Sequence, residues 1–192
     1  MRPWPSRRDG FWVALTVTAA ICAAVASIFA ASGLRGWFGG GLAVLMFAIA
    51  IYDARHFIIP NELVGLAFVL ALISAGASQP DAAISEIGLA SLRAAVSGGT
   101  LLAVKIVYRW LRGREGLGMG DIKLAAVAGA WLDWLIILLA IDIAVVAALA
   151  GYIIHQYSRD RRLRAFDRLP FGMYLAPAIW CGWLLEATFF GR

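Results

Sequence analysis

Two aspartates in this sequence lie where acid–base chemistry at a membrane is expected, and one of them is Asp121. It follows a glycine-rich run that contains Gly116, Gly118 and Gly120, and it precedes an apolar segment that should re-enter a membrane. An ionised aspartate deep in hydrocarbon costs about 2.5–3.5 kcal/mol, so a residue of this kind indicates function. Glycine has no Cβ, so these three positions can take positive φ and let a second backbone approach closely. A carboxylate beside such a backbone predicts chemistry on a peptide bond, provided that a second carboxylate joins it.

The second carboxylate is Asp53, which ends an apolar run 68 positions before Asp121. Two carboxylates that lie close together do not both ionise easily, so one keeps a proton at working pH. The ionised group can take a proton from water while the protonated group polarises a peptide carbonyl. This is aspartic-protease chemistry, and it is expected to need no metal and no cofactor. The alternative is that each aspartate is a solvated residue at the end of a helix.

The composition indicates what kind of protein must position these two residues. Of 192 residues, 62% are hydrophobic and 15% are charged, and the mean hydropathy is +0.80. Soluble domains are about 45–50% apolar with about 25% charge, so an all-α, polytopic membrane protein is predicted. The net charge of +5 comes from arginines between apolar runs, which favours membrane topology over nucleic-acid binding. Cys22 and Cys181 lie far apart inside apolar runs, so neither a disulfide framework nor a metal site is predicted.

The apolar runs predict about seven transmembrane helices, with the N-terminus in the cytoplasm and the C-terminus outside. The first run could instead be a signal peptide, because residues 30–32 resemble a cleavage region, but its length favours a retained helix. The fifth run would be only about 18 Å long as a helix, which is short for a span. Residues 1–36 are predicted to form an extra N-terminal helix, and residues 37–192 a six-helix domain. The predicted helices cover residues 11–32, 37–52, 63–77, 87–110, 121–132, 135–154 and 170–190.

The distribution of arginine supports this topology, because basic residues are enriched on the cytoplasmic side of membrane proteins. This topology places Asp53 at the inner end of the second helix and Asp121 at the inner start of the fifth, so both lie near the cytoplasmic boundary. Lys105 is expected to extend to the inner interface, and the basic run 159–168 to bind anionic lipid headgroups. The predicted inner segments contain Arg2, Arg7, Arg8, Arg55, Arg112, Arg114, Arg159, Arg161, Arg162, Arg164 and Arg168, and the outer ones contain Arg35 and Arg192.

Two local patterns predict how the helices begin and pack. Pro60 should hold Ile59 in an extended conformation, and Asn61 should cap the third helix. A run of small side chains in the fourth helix predicts a close helix–helix contact. Its members are Ala94, Ser97, Gly98 and Gly99.

The segments around both aspartates resemble the two signatures of type IV prepilin peptidases, which are intramembrane aspartic proteases with a Gly-x-Gly-Asp motif. Residues 53–61 read Asp-Ala-Arg-His-Phe-Ile-Ile-Pro-Asn, and residues 118–124 read Gly-Met-Gly-Asp-Ile-Lys-Leu. Leu-Pro-Phe-Gly at 169–172 also resembles the Pro-Phe-Gly that opens the family's last helix, and the likeness covers residues 39–190. The resemblance implies that residues 37–192 form an aspartic peptidase domain and that Asp53 and Asp121 are its catalytic pair. The residues expected to support the substrate loop are Gly118, Gly120, Lys123, Arg55, Pro60, Asn61, Pro170, Phe171 and Gly172.

The resemblance also implies a substrate and a location. Family members cut prepilins and pseudopilins at the cytoplasmic face of the bacterial inner membrane, between a basic leader ending in Gly and an apolar stem. Larger members carry paired CxxC motifs and also N-methylate the new terminus. This sequence has no CxxC, so it resembles the short, peptidase-only form associated with Flp or tight-adherence pili, and methyltransferase activity is not expected. Membrane lipids are expected partners, nucleic acid is not, and the oligomeric state stays open.

Alternatives remain for the function and for several residues. The chain could be a related protease that cuts other signal peptides or membrane stubs, or a small transporter in which acids such as Asp142 relay protons or bind a cation. For Asp142 itself, a packing role is favoured over a catalytic one. Arg55 and Lys123 either pair with an aspartate or only mark the inner face. Glu115 either contacts a basic leader or is a loop charge, and Glu186 is expected at the outer interface.

Overall fold

The computed structural model describes the backbone of residues 6–113, 117–158 and 170–190, and the side chains of 14–113, 117–154 and 170–190. Every regular element in these ranges is helical, which confirms the all-α prediction. A 3₁₀ turn at Pro80–Ala82 precedes α4, and a π-helical turn at Glu186–Phe190 extends α7. The α-helices are α1 Ser6–Ala30, α2 Leu34–His56, α3 Asn61–Ser78, α4 Ala83–Arg112, α5 Met119–Trp131, α6 Trp134–Ser158 and α7 Gly172–Leu185.

Five of these helices are long and apolar enough to cross a membrane. They are α2, α3, α4 with its preceding turn, α6, and α7 with its extension. The apolar part of α1, Ala14–Ala30, is shorter, and α5 has only 13 residues. A 13-residue helix is about 20 Å long, which is less than the roughly 30 Å of a bilayer's hydrocarbon core. The multi-pass character of the chain therefore rests on five helices.

The short helix α5 lies inside the bundle, where it contacts α3, α4 and α7. Its apolar residues point in all directions, and a helix that is hydrophobic all round is normally buried. The side chains of Leu124, Val127 and Ala128 are almost completely covered. Because α5 meets protein on most of its faces, its position is set by its neighbours and not by the thickness of a bilayer.

Small residues bring α4 and α5 into close contact, as the sequence predicts. A Cβ added to Gly129 would lie 2.4 Å from the carbonyl oxygen of Arg93, and one added to Gly98 would lie 3.0 Å from Cβ of Ala126. Ala94 is buried at the same contact, whereas Gly99 points away from it and is exposed. Larger side chains at the two buried glycines would push the helices apart.

A cluster of charged side chains closes the end of the bundle where α2 begins. Arg93 forms an ion pair with Asp133, and the Asp133 backbone N–H donates to Oε1 of Glu186 at 2.6 Å. Glu186 is only 7% exposed, so its side chain is covered by protein, and its predicted place at the outer interface stays a prediction. The cluster binds the turn between α5 and α6 to the end of α7. Arg35 lies near it at the start of α2, about 27 Å along the helix from Asp53.

Candidate active site

Asp53 lies in the last turn of α2, and its side chain is only 4% exposed. The helix ends just after it because Phe57 takes a left-handed conformation, with φ 55 and ψ 31. The Phe57 N–H donates to the Asp53 carbonyl oxygen at 2.9 Å and closes the turn. A residue with a Cβ rarely adopts this conformation, which costs about 1–3 kcal/mol. The abrupt turn brings the following loop back across the end of the bundle, next to the carboxylate.

The carboxylate of Asp53 lies at the N-terminus of α7. The Met173 N–H donates to Oδ2 at 2.9 Å, and the Gly172 N–H is a second donor. The first N–H groups of a helix have no partner within it and carry the positive end of its dipole, so they suit an anion. A Cβ on Gly172 would lie 2.9 Å from Oδ2 of Asp53, so only glycine allows this approach. Phe171 precedes the first turn, and its carbonyl oxygen accepts from the N–H groups of residues 174 and 175.

Asp121 is the third residue of α5, and Gly118 is the residue just before the helix. The Gly118 N–H donates to the Asp121 carboxylate, which is one half of a capping box. Gly118 has an ordinary φ of −69, and Gly120 is helical without positive φ, so the predicted left-handed glycines are not found at these two positions. Gly116 lies outside the described residues. Asp121 is thus held by the start of its own helix, while Asp53 is held by the start of another.

The two aspartates lie close enough to interact electrostatically. Asp121 is in the first turn of α5, outside the five helices that could cross a membrane. Burial raises the pKa of Asp121 to about 6, and the nearby charge of Asp53 acts in the same direction. The Gly118 N–H and the positive charge of Lys105 oppose this rise. Repulsion between two neighbouring carboxylates favours a state in which one of them keeps its proton.

The side chain of Ile59 lies between the elements that carry the two aspartates, a position that its sequence context does not indicate. A Cβ on Gly120 would be 2.9 Å from Cβ of Ile59, and a Cβ on Gly172 would be 2.6 Å from its Cδ1. Ile59 is 9% exposed and contacts both glycines from the loop after Asp53. Gly120 therefore makes room for Ile59, and its role in admitting a substrate backbone stays a prediction. Nothing in the sequence next to Ile59 indicates this contact, because Gly120 and Gly172 lie far along the chain.

The loop is also bound to α5 through Asn61. Pro60 is extended, with φ −64 and ψ 130, and α3 begins at Asn61, whose side chain does not cap the helix as predicted. Instead its Oδ1 accepts a hydrogen bond from Nζ of Lys123 at 2.6 Å. Lys123 therefore holds the loop and does not pair with an aspartate. Pro170 lies at the opposite side of the site, half-buried before α7.

Other residues singled out from the sequence do not join the site. Arg55 is exposed, and within the described residues it forms no ion pair with either aspartate. Asp142 is exposed on α6, so the packing role expected for it inside the chain is wrong. Glu115 and the basic run 159–168 lie outside the described residues. No group of three or more His, Cys, Asp or Glu side chains that could hold a metal occurs in the part of the chain where side chains are described.

An apolar cavity of about 220 Å³ lies beside Asp53, between α1, α2 and α7. It adjoins the carboxylate because Met173, which donates to Asp53, is one of its walls. A larger cavity of about 360 Å³, lined in part by Arg35 and Phe38, lies at the opposite end of α2. The residues around the smaller cavity are Thr16, Phe47, Ala50, Ile51, Ala54, Met173 and Pro177.

The geometry combines two carboxylates, one strongly buried, with N–H donors from two helix starts and an adjoining apolar cavity. Such a pair can share a proton, activate water and polarise a carbonyl. The arrangement suits hydrolysis of a peptide bond next to an apolar segment.

Known proteins with similar sequences belong to one peptidase family. The type IV leader peptidase family matches residues 40–154, which include both aspartates. The prepilin leader peptidase/N-methyltransferase of Pseudomonas aeruginosa is 34% identical over 154 residues, which make up 75% of this chain and 49% of that protein. The chain thus spans about half the length of this relative.

Two shorter relatives are matched over most of their length. Leader peptidase HopD of Escherichia coli is 30% identical over 138 residues, 71% of this chain and 83% of HopD. HopD of Salmonella typhimurium is 31% identical over 131 residues, 68% of this chain and 81% of that protein. No solved structure matches the chain. The family match covers more than half of the chain and includes both aspartates, so the chain belongs to the type IV leader peptidase family.

Proposed function

We propose that the chain is a membrane-embedded aspartic endopeptidase that removes the leader from prepilins or pseudopilins, with Asp53 and Asp121 as its catalytic pair. One observation carries the proposal. Asp53 and Asp121, from distant parts of the chain, interact at one end of the bundle, and each carboxylate is bound at the start of a helix. Family membership supplies the substrate class.

In the proposed mechanism Asp53 is the base and Asp121 carries the shared proton. The N–H groups at the start of α7 stabilise negative charge on Asp53, and the pKa of Asp121 near 6 suits a proton donor. Water attacks the peptide carbonyl carbon, its proton passes to Asp53, and the proton of Asp121 passes to the carbonyl oxygen. When the C–N bond breaks, the proton on Asp53 moves to the leaving amine. Asp121 recovers its proton from the hydroxyl that becomes the new carbonyl.

We propose that the apolar cavity beside Asp53 receives the start of the substrate's apolar stem. The cavity shares Met173 with the carboxylate and opens between α1, α2 and α7. A cysteine at Ala54, which lines it, should cross-link to a cysteine just after the cleavage site of the prepilin. A cysteine at the exposed Gly99 on α4 is the control and should not cross-link.

The proposed topology has the N-terminus inside, the C-terminus outside and the two aspartates near the cytoplasmic face of the bacterial inner membrane. In this arrangement α1 adds a crossing, and α5 completes the seventh inside the bundle, where the helices around it and not lipid meet its short length. Asp121 lies at the inner boundary where α5 begins. Residues 1–36 contribute an additional helix to the six-helix peptidase part in 37–192. The arginine-rich inner segments support this orientation.

We further propose that the chain cleaves without N-methylating the new terminus, and that its substrates are Flp-like prepilins. Two relatives named only as leader peptidases are covered over more than four fifths of their length, whereas the bifunctional relative is covered over about half. Incubation with prepilin and S-adenosylmethionine, followed by mass spectrometry, should give a cleaved but unmethylated product.

Cleavage of a leader-bearing prepilin by the full chain in liposomes tests the main proposal. Asp53→Asn and Asp121→Asn should each abolish cleavage while the protein remains folded in the membrane, because each carboxyl has its own role. Asp142→Asn, which changes an exposed aspartate away from the site, is the matched control and should keep most activity. Appreciable turnover by either dyad variant would remove that residue from the mechanism. Cleavage of other signal peptides in preference to prepilins would favour the alternative substrate class.

A further inference from the structure

The register between α4 and α5 determines which residue of α4 lies beside the start of α5. Gly129 fits against the backbone of Arg93, and Gly98 fits against Ile122 and Ala126. Moving forward along α4 therefore means moving backward along α5, which makes the two helices antiparallel. The close contacts at the glycines leave little freedom for this register to slip.

Lys105 follows Gly98 by seven residues, which is about two helical turns, so both lie on the same face of α4. Two turns cover about 10.5 Å. The same distance back along α5 from its contact with Gly98 leads to the start of the helix, at the level of Gly118 to Asp121. The register thus brings Lys105 next to the candidate active site.

Burial supports this position independently. From residue 102 to residue 113, Lys105 is the one position that is not exposed. Lysine is among the residues that are most often exposed, so partial burial of this side chain indicates that it lies against the protein. The prediction that Lys105 only extends to the membrane interface is therefore incomplete, because its side chain faces α5.

We propose that Lys105 is a positioning residue of the active site, which holds its ammonium group beside Asp121 and stabilises the carboxylate form of that side chain. The inference rests on the proposed function, in which Asp121 gives up its proton when the peptide bond is attacked. Asp53 from α2 and Lys105 from α4 are the charged groups that act on Asp121 in the described part of the chain. Lys105 thus offsets the repulsion that Asp53 exerts on an ionised Asp121.

Lys123 provides a matched control on α5. It lies two residues after Asp121, but its amine donates to Asn61, and its charge is not among those that act on Asp121. A comparison of methionine substitutions at the two lysines separates a specific effect at Asp121 from a general loss of positive charge. Arginine at position 105 keeps the charge and serves as the conservative variant.

The experiment measures the pH dependence of prepilin cleavage by wild type, Lys105→Met, Lys105→Arg and Lys123→Met in liposomes. In Lys105→Met the alkaline limb of the pH profile of kcat should shift to higher pH by about one unit. The kcat should fall about tenfold, with little change in KM. Lys105→Arg should retain the wild-type limb, and Lys123→Met should not move it. An unchanged limb in Lys105→Met, or an equal shift in Lys123→Met, would overturn the inference.

A second readout does not depend on activity. The infrared C=O band of protonated Asp121, assigned by its loss in Asp121→Asn, should titrate at higher pH in Lys105→Met than in the wild type. If the wild type cleaves no prepilin but this shift is present, the proposed function fails and the placement of Lys105 stands. If the band titrates identically in the two proteins, the placement of Lys105 is refuted whatever the substrate.

Discussion

Replacing Gly172 with alanine tests whether the start of α7 controls Asp53. The added Cβ would lie 2.9 Å from Oδ2 of Asp53, about 0.5 Å closer than an ordinary carbon–oxygen contact, and 2.6 Å from Cδ1 of Ile59. Restoring a normal contact would lengthen the Met173–Asp53 hydrogen bond from 2.9 Å to about 3.4 Å, beyond its effective range. A hydrogen bond to a charged group contributes about 1.5–3 kcal/mol. Gly172→Ala should therefore lower kcat/KM by about ten- to a hundredfold.

Folding stability should change much less than activity. Alanine at the first position of a helix is favoured over glycine by up to about 1 kcal/mol, which offsets part of the crowding. The assay measures prepilin cleavage in liposomes and the thermal unfolding midpoint of the same preparation. Gly99→Ala is the matched control, because nothing lies within 4 Å of the added Cβ, and it should behave as wild type.

A double variant separates the two contacts of the new methyl group. Ile59→Val removes the Cδ1 atom that the added methyl group would meet, but leaves the contact with Asp53 unchanged. Gly172→Ala combined with Ile59→Val should therefore remain impaired. Full recovery in the double variant, or near-wild-type activity in Gly172→Ala alone, would refute the argument that glycine is required for the approach of Asp53 to α7.

Four other predictions concern the second aspartate and the chemistry. Gly120→Ala should lower both turnover and the thermal midpoint, since its Cβ meets Ile59 at 2.9 Å and overpacking costs about 1–3 kcal/mol; normal stability would argue against this packing. Gly118→Ala should mainly lower turnover, because its Cβ would lie 3.0 Å from Oδ2 of Asp121, and unchanged kcat would contradict this. The kcat/KM should decline as pH rises above about 6, where free Asp121 loses its proton, and a profile that keeps rising to pH 9 would assign the proton to another group. EDTA should leave cleavage intact, and inhibition that added zinc reverses would contradict a mechanism with only water and two carboxyls.

The sequence alone determined where most of the helices lie and that the two aspartates belong near one end of the bundle. An apolar run predicts a helix because the backbone N–H and C=O groups of a membrane segment must form hydrogen bonds within the segment. The runs predicted at 37–52, 63–77 and 135–154 lie inside α2, α3 and α6. If successive apolar runs cross the membrane in opposite directions, Asp53 and Asp121 are predicted near the same boundary. The crossings by α1 and α5 stay a proposal.

The tertiary structure decided what surrounds the two carboxylates. The donor to Asp53 comes from Met173, 120 residues along the chain, and the residue between Gly120 and Gly172 is Ile59. The glycines make room for neighbouring protein groups, which the sequence did not indicate, while their role toward a substrate stays a prediction. Hydropathy could not reveal these contacts, because it reports how apolar a segment is and not which face of it meets which neighbour.

Lys105 and Glu186 show the same limit. Both are charged residues near the ends of apolar helices, and such a position in sequence predicts an interfacial side chain. Glu186 is buried because Asp133 donates to it, and Lys105 faces Asp121 because glycines fix how α4 packs on α5. The orientation of a helix about its own axis depends on close packing among helices distant in sequence, so only the folded chain determines it.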